Sequence, residues 1–156
     1  MDITEDILHQ LGLDVCDTMV GIPTHPDASP AVAGHWISAS VSIQGLHRET
    51  LEVIADEQLA AVIAREIFST PSDEVPSQVE MFDALGEIAN QIGGNLKGIA
   101  GSEADLSLPV VKVLATPEAH VAEGTIRTAI QLAGYPLRLV FQSSTPRTFT
   151  HGFEPV

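Results

Sequence analysis

Basic side chains are scarce in this sequence: seven Lys plus Arg stand against 21 Asp plus Glu, a formal net charge of -14 at pH 7. A nucleic-acid binder neutralises phosphates with clustered cations, so this balance argues against DNA and RNA. Anionic membrane surfaces are disfavoured for the same reason. Cysteine is almost absent; the single thiol, Cys16, cannot form an internal disulfide and fits a reducing compartment. No apolar run reaches the length that crosses a bilayer, and the acidic start MDITEDIL lacks the positive segment of a secretion signal, so a cytoplasmic protein is expected. A Gly-rich phosphate loop of the P-loop or dinucleotide type is missing. The histidines, His9, His25, His35, His47, His120 and His151, show no ligand spacing such as a pair on one helical turn, which argues against a metal site.

What is present suits one ordinary domain. With 156 residues, 44% of them hydrophobic and 18% charged, the chain is long enough to bury a sizeable core without a metal or disulfide. The stretch from Ser77 to Gly101 organises it. Read at about 100° per residue, Met81, Leu85, Ile88, Ala89, Ile92, Leu96 and Ile99 form a core-facing stripe. Asp83, Glu87, Asn90, Gly94 and Lys97 fall within roughly 80° of arc on the opposite side. Ser77 and Glu80 make a capping box, so the helix is expected to begin near Gln78, and Gly101 suits a left-handed ending. Asn is a poor helix former, and Gly86, Gly93 and Gly94 each cost a helix interior about 1 kcal/mol relative to Ala. Close packing on a sheet is one reason to keep such glycines; close approach of another protein is the other, and Gly94 beside Asn90 fits the second.

The flanking segments supply the rest. Asp2 to Val20 is helical in period, with Ile7, Leu8, Leu11, Val15 and Met19 inward. A Pro-rich connection follows, with a short extended piece expected at Gly21 to Thr24. His35 to Gln44 alternates as a strand with Ser38, Ser40, Ser42 and Gln44 on a wet face, and Glu49 to Ala55 returns as its hairpin partner. Trp36 reads as a core or dimer anchor. Asp56 caps a second helix whose expected core face is Leu59, Val62, Ile63, Ile67 and Phe68. Leu106 to Ala115 reads as an edge strand interrupted by Pro109, and Thr125 to Leu132 with Pro136 to Phe141 as a second hairpin around Ala133, Gly134 and Tyr135. The two halves share an order of helix, extended piece and hairpin. The expected class is α+β: duplicated units, a mostly antiparallel sheet, and long helices on one face.

The stretch DALGEIANQIGGN resembles the signature helix of the CheX/CheC family of chemotaxis phosphatases, which dephosphorylate the response regulator CheY. Asp83, Glu87 and Asn90 match that family's pattern in type and spacing, and the order of elements is similar from about Asp6 to Gln142, including TMVG after the first helix and LSLP after the signature helix. The first helix presents Asp6, Gln10, Leu13 and Asp17 outward, not a second Glu and Asn pair, so the resemblance implies the single-site, CheX-like arrangement. The family's downstream proline maps only loosely onto Pro109, which is given no catalytic role.

The resemblance implies a single CheX-like domain over residues 1–142; the tail, 143–156, has two prolines and no period and is expected to be partly ordered at best. The same resemblance implies hydrolysis of an aspartyl phosphate on a CheY-like receiver domain, with Asn90 orienting the attacking water and Glu87 pairing with the receiver's lysine. Asp83, Gly94 and Lys97 would contact the partner. No cofactor of its own is implied, since Mg²⁺ arrives with the phosphorylated regulator. Homodimer formation through strand edges is implied as well. Two alternatives stay open: a docking module that binds a receiver domain or flagellar switch protein without hydrolysis, and an orphan small-molecule-binding domain.

Overall fold

The computed structural model describes residues 3–21, 35–45, 47–71, 73–101, 103–117 and 124–144. The elements in chain order are α1 (Glu5–Met19), β1 (Trp36–Gln44), β2 (Arg48–Asp56), α2 (Glu57–Phe68), α3 (Gln78–Ala100), β3 (Asp105–Leu106), β4 (Val110–Leu114), β5 (Ile126–Leu132) and β6 (Tyr135–Ser144). The strands form one antiparallel sheet in the order β3-β1-β2-β6-β5, and β4 also pairs with β1. Both hairpins are therefore present, joined at the centre by β2 and β6. The α+β class is as the sequence implies.

Local chemistry sets the boundaries. Thr4 caps α1, Asp56 Oδ1 accepts from Leu59 N–H at 2.9 Å at the start of α2, and the Ser77–Glu80 capping box closes in both directions on α3. Each such cap is worth about 1 kcal/mol. The second hairpin turns on two residues alone, Ala133 at φ 52° and Gly134 at φ 85°, the paired positive φ that matches strand twist. Tyr135, expected in that turn, is instead paired with Leu132. Strand β6 runs to Ser144, two residues past the expected end of the folded part. Gly101 ends α3 at φ 123° and ψ 153°, an extended conformation open to glycine, not the left-handed one expected. The extended piece expected at Gly21 to Thr24 lies outside the described residues from position 22 on, and so does the tail from 145.

The helices cover one face of the sheet. Ile37, Ala39, Val41 and Ile43 of β1, Leu51, Val53 and Ala55 of β2, and Leu137, Leu139 and Phe141 of β6 are buried beneath them. Helix α3 lies on β1, β2, β3 and β4, whereas α1 lies on β5 and β6. Each long helix thus packs over the hairpin of the other half, which makes the duplicated halves depend on one another. At Gly12 of α1 a Cβ would fall 2.3 Å from Ile130 Cδ1 and 2.6 Å from Leu139 Cδ1, so the helix backbone rests directly on that hairpin.

The other face departs from the alternation read in β1. Ser38 is 1% exposed rather than wet, and its hydroxyl donates to Glu52 on β2. Ile54, paired with Ser38, is fully buried on the same side. Trp36 is half-buried, and the guanidinium of Arg138 sits 5.4 Å from its ring centroid, a cation-π contact across that face.

Cys16 is 2% exposed inside α1, and burial pushes its thiol up to about 12. The thiol is protonated at neutral pH, so labelling of the native protein should proceed only as fast as the fold opens. Native protein that reacts with a thiol reagent as fast as denatured protein would count against this packing.

Candidate active site

Helix α3 is the wall of the site, and its two sides are fixed by burial. Met81, Leu85, Ile88, Ala89, Ile92 and Leu96 are buried as the pattern requires, and Ala84, Gly86 and Gly93 widen the buried arc to about 200°. The extra width comes from the sheet edge. A Cβ on Gly93 would lie 2.7 Å from Val41 Cγ2 and 3.1 Å from Leu106 Cδ1, and one on Gly86 would lie 3.4 Å from Pro109 Cβ. Close packing therefore accounts for Gly93, whereas a Cβ on Gly86 would make only ordinary contacts. Gly94 and Gly98 are different: a Cβ at either would meet nothing within 4 Å.

The outward stripe emerges as read. Asp83, Glu87 and Gly94 are exposed, while Asn90 and Lys97 are half-buried where the stripe meets the buried arc. Among the described residues no side-chain hydrogen bond or ion pair engages Asp83, Glu87, Asn90 or Lys97. Two successive turns of α3 thus present an unpartnered carboxylate, at Glu87, and an unpartnered carboxamide, at Asn90. A carboxamide offers both a donor and an acceptor to a water molecule; a carboxylate offers only acceptors, to a cation or a donor.

Both groups open onto a cleft of about 560 Å³. Asp83, Gly86, Glu87 and Asn90 form its helical wall, and Ile67, Phe68, Phe82, Leu108, Pro109 and Val111 complete it. The structure therefore brings together Asp83, Glu87 and Asn90. Gly94 and Lys97 continue the same stripe beyond the cleft, with Lys97 about 10 Å further along the axis than Asn90.

Several lining residues escaped the sequence reading. Phe68, expected in the core with Val62, is 44% exposed and faces the cleft, and Val62 is only half-buried; the buried face of α2 is Leu59, Ala60, Ile63 and Ala64. Helix α2 packs on α3, and Phe68 stands at the edge of the buried face of α2, outside the core. Pro109, which was given no role, lies in the break between β3 and β4 and packs against Gly86. Its proline ring removes a ladder donor, so the strand parts there. The signal in the sequence is Pro109 itself, which interrupts the strand pattern.

Among the described residues no group of three or more His, Cys, Asp or Glu side chains is placed to hold a metal ion, and no helix is long and apolar enough to cross a membrane.

An antiparallel sheet under crossed long helices is the architecture of the CheC-like chemotaxis proteins. CheX from Desulfovibrio desulfuricans superimposes with a TM-score of 0.62 at 19% identity, covering 88% of this chain and 99% of that one. A CheC-like superfamily protein from Shewanella sp. PV-4 gives 0.64 at 18% identity, covering 92% and 99%. The CheX of a CheX–CheY–BeF3–Mg²⁺ complex from Borrelia burgdorferi gives 0.62 at 15% identity, covering 88% and 94%. No curated protein matches the chain in sequence. The family model for the chemotaxis phosphatase CheX matches residues 37–130, more than half of the chain and the whole of α3. The chain belongs to the CheX family of chemotaxis phosphatases.

Proposed function

We propose that this protein hydrolyses the aspartyl phosphate of a CheY-like receiver domain, with Asn90 orienting the attacking water and Glu87 pairing with the receiver's active-site lysine. The observation that carries this reading is the unpartnered Glu87 and Asn90 on successive turns of an open helix face. An acyl phosphate already bound to Mg²⁺ needs chiefly a water held in line with its leaving oxygen. Water oxygen then bonds to phosphorus as the bond from phosphorus to the aspartyl oxygen breaks, releasing inorganic phosphate and a carboxylate. No covalent intermediate on this chain is required. The magnesium belongs to the phosphorylated substrate, and in the Borrelia burgdorferi complex it accompanies CheX, CheY and BeF3.

The remaining stripe supports docking. Asp83 lies a turn before Glu87 and would touch the rim of the partner, as would Lys97 at the far end. Gly94 and Gly98, which no internal packing requires, keep the helix surface low where a partner's backbone would lie. The test is the decay of phosphorylated receiver domains from the same organism, with and without this protein. Unchanged decay for every receiver would overturn the catalytic reading, and binding without turnover would replace it with a docking module.

Two copies are further inferred to pair through β5, whose outer edge carries no strand among the described residues. Sedimentation at micromolar concentration should give a dimer; a monomer would remove this inference.

A further inference from the structure

The cleft beside Asn90 is far roomier than water chemistry requires, at about 560 Å³ against the roughly 30 Å³ share of one water. Its two sides differ in character. Asp83 and Glu87 give the helical side negative charge, and among the described residues no Lys, Arg or His lines the cleft. The opposite side is apolar, with Leu108 83% exposed and Phe68 44% exposed.

The backbone that carries both apolar side chains is anchored by its neighbours. Ser107 is tied to β1 by its N–H to Ser42 O at 2.9 Å and by Ser42 N–H to its hydroxyl at 2.9 Å, while Pro109 packs against Gly86 on the other side of Leu108. Phe68 is the last residue of α2, which Ser69 terminates in the left-handed conformation at φ 56°. Exposed apolar side chains on an anchored backbone can be buried by a partner at little cost in backbone ordering.

We propose that the cleft receives an apolar side chain of the receiver domain that lies beside a lysine, with Leu108 and Phe68 clasping the apolar part and Asp83 and Glu87 facing the cation. Charge complementarity selects this occupant, because an acidic wall facing an apolar wall matches a segment that is cationic on one side and apolar on the other. Leu108 and Phe68 are then the residues that set which receiver is bound, apart from the hydrolysis itself. The proposal rests on the phosphatase reading for the identity of the partner.

The experiment uses Leu108→Ser and Phe68→Ser, with Leu13→Ser on α1 as a control for loss of an exposed leucine. Thermal melts of all three should stay within a few degrees of wild type, since each side chain is more than a third exposed. Binding is measured to a receiver domain loaded with magnesium and fluoroberyllate, and kcat and KM are measured with the phosphorylated form. Leu108→Ser and Phe68→Ser should each raise Kd and KM about tenfold or more, leaving kcat within about twofold, and Leu13→Ser should change nothing. Wild-type affinity in both cleft variants overturns the proposal, as does an equal loss in the control or the failure of wild type to bind any receiver. If Asn90→Ala loses turnover while Leu108→Ser binds normally, the pocket alone is wrong. If wild type binds without hydrolysing and Leu108→Ser still weakens binding, the pocket stands and the catalytic reading falls.

Discussion

Replacing Asn90 by alanine is expected to slow receiver dephosphorylation by about 10²-fold or more while leaving affinity within about twofold. A water that has lost its positioning group attacks from many orientations, and the loss falls on kcat because the group acts on the reacting atoms. The substitution is well suited to isolate that effect. Asn90 makes no side-chain hydrogen bond among the described residues, and alanine is the better helix former, so the fold should not weaken. Single-turnover decay of a labelled phospho-receiver, run beside a binding titration, separates the two quantities. Turnover equal to wild type would sink the water-orienting role of Asn90.

The second large effect is expected at Glu87. Alanine there should weaken receiver binding and lower turnover together, because a charge partner is lost from an interface that excludes water. Truncating one member of such a pair costs about 2–5 kcal/mol, or roughly 30-fold and upward in Kd. Glu87→Gln should recover part of the binding, since the amide keeps an acceptor for the lysine. Salt provides a further check. The chain carries a net charge of -14, so long-range attraction to an acidic receiver is weak. The local pair is then the salt-sensitive contact, and wild type should lose more affinity with ionic strength than Glu87→Ala does. An Ala variant that binds like wild type while turning over slowly would place Glu87 in the chemistry, not in docking.

Both predictions come from side chains that could be read before any fold was known. A helix of regular period carries its own coordinates: Ser77 and Glu80 start it, and about 100° per residue then decides that Glu87 and Asn90 share a side away from Leu85 and Ile92. The structure adds where that side faces. The cleft is not legible in local sequence because its opposite wall comes from elsewhere in the chain, Phe68 from the end of α2 and Leu108 and Pro109 from the break between β3 and β4.

Phe68 shows why periodicity fails there. On its own helix it falls near the apolar face, yet the face that α2 buries runs through Leu59, Ala60, Ile63 and Ala64 and leaves Phe68 at its unburied edge. Gly93 shows the converse: its cost in helix propensity is explained only by Val41 and Leu106 lying against its backbone. Ser38 likewise alternates as a wet residue, and is buried because Glu52 and Ile54 stand beside it on the next strand.

The sequence alone determined the helices, the two hairpins, the capped signature helix and the shared outward face of Glu87 and Asn90, because each depends on residues a few positions apart. Tertiary structure decided the packing of α1 and α3 over each other's hairpins, the close approach of Gly12 and Gly93 to the sheet, and the apolar wall of the cleft. These depend on contacts between residues distant in the chain, where local periodicity fixes the side of an element but not what lies opposite it.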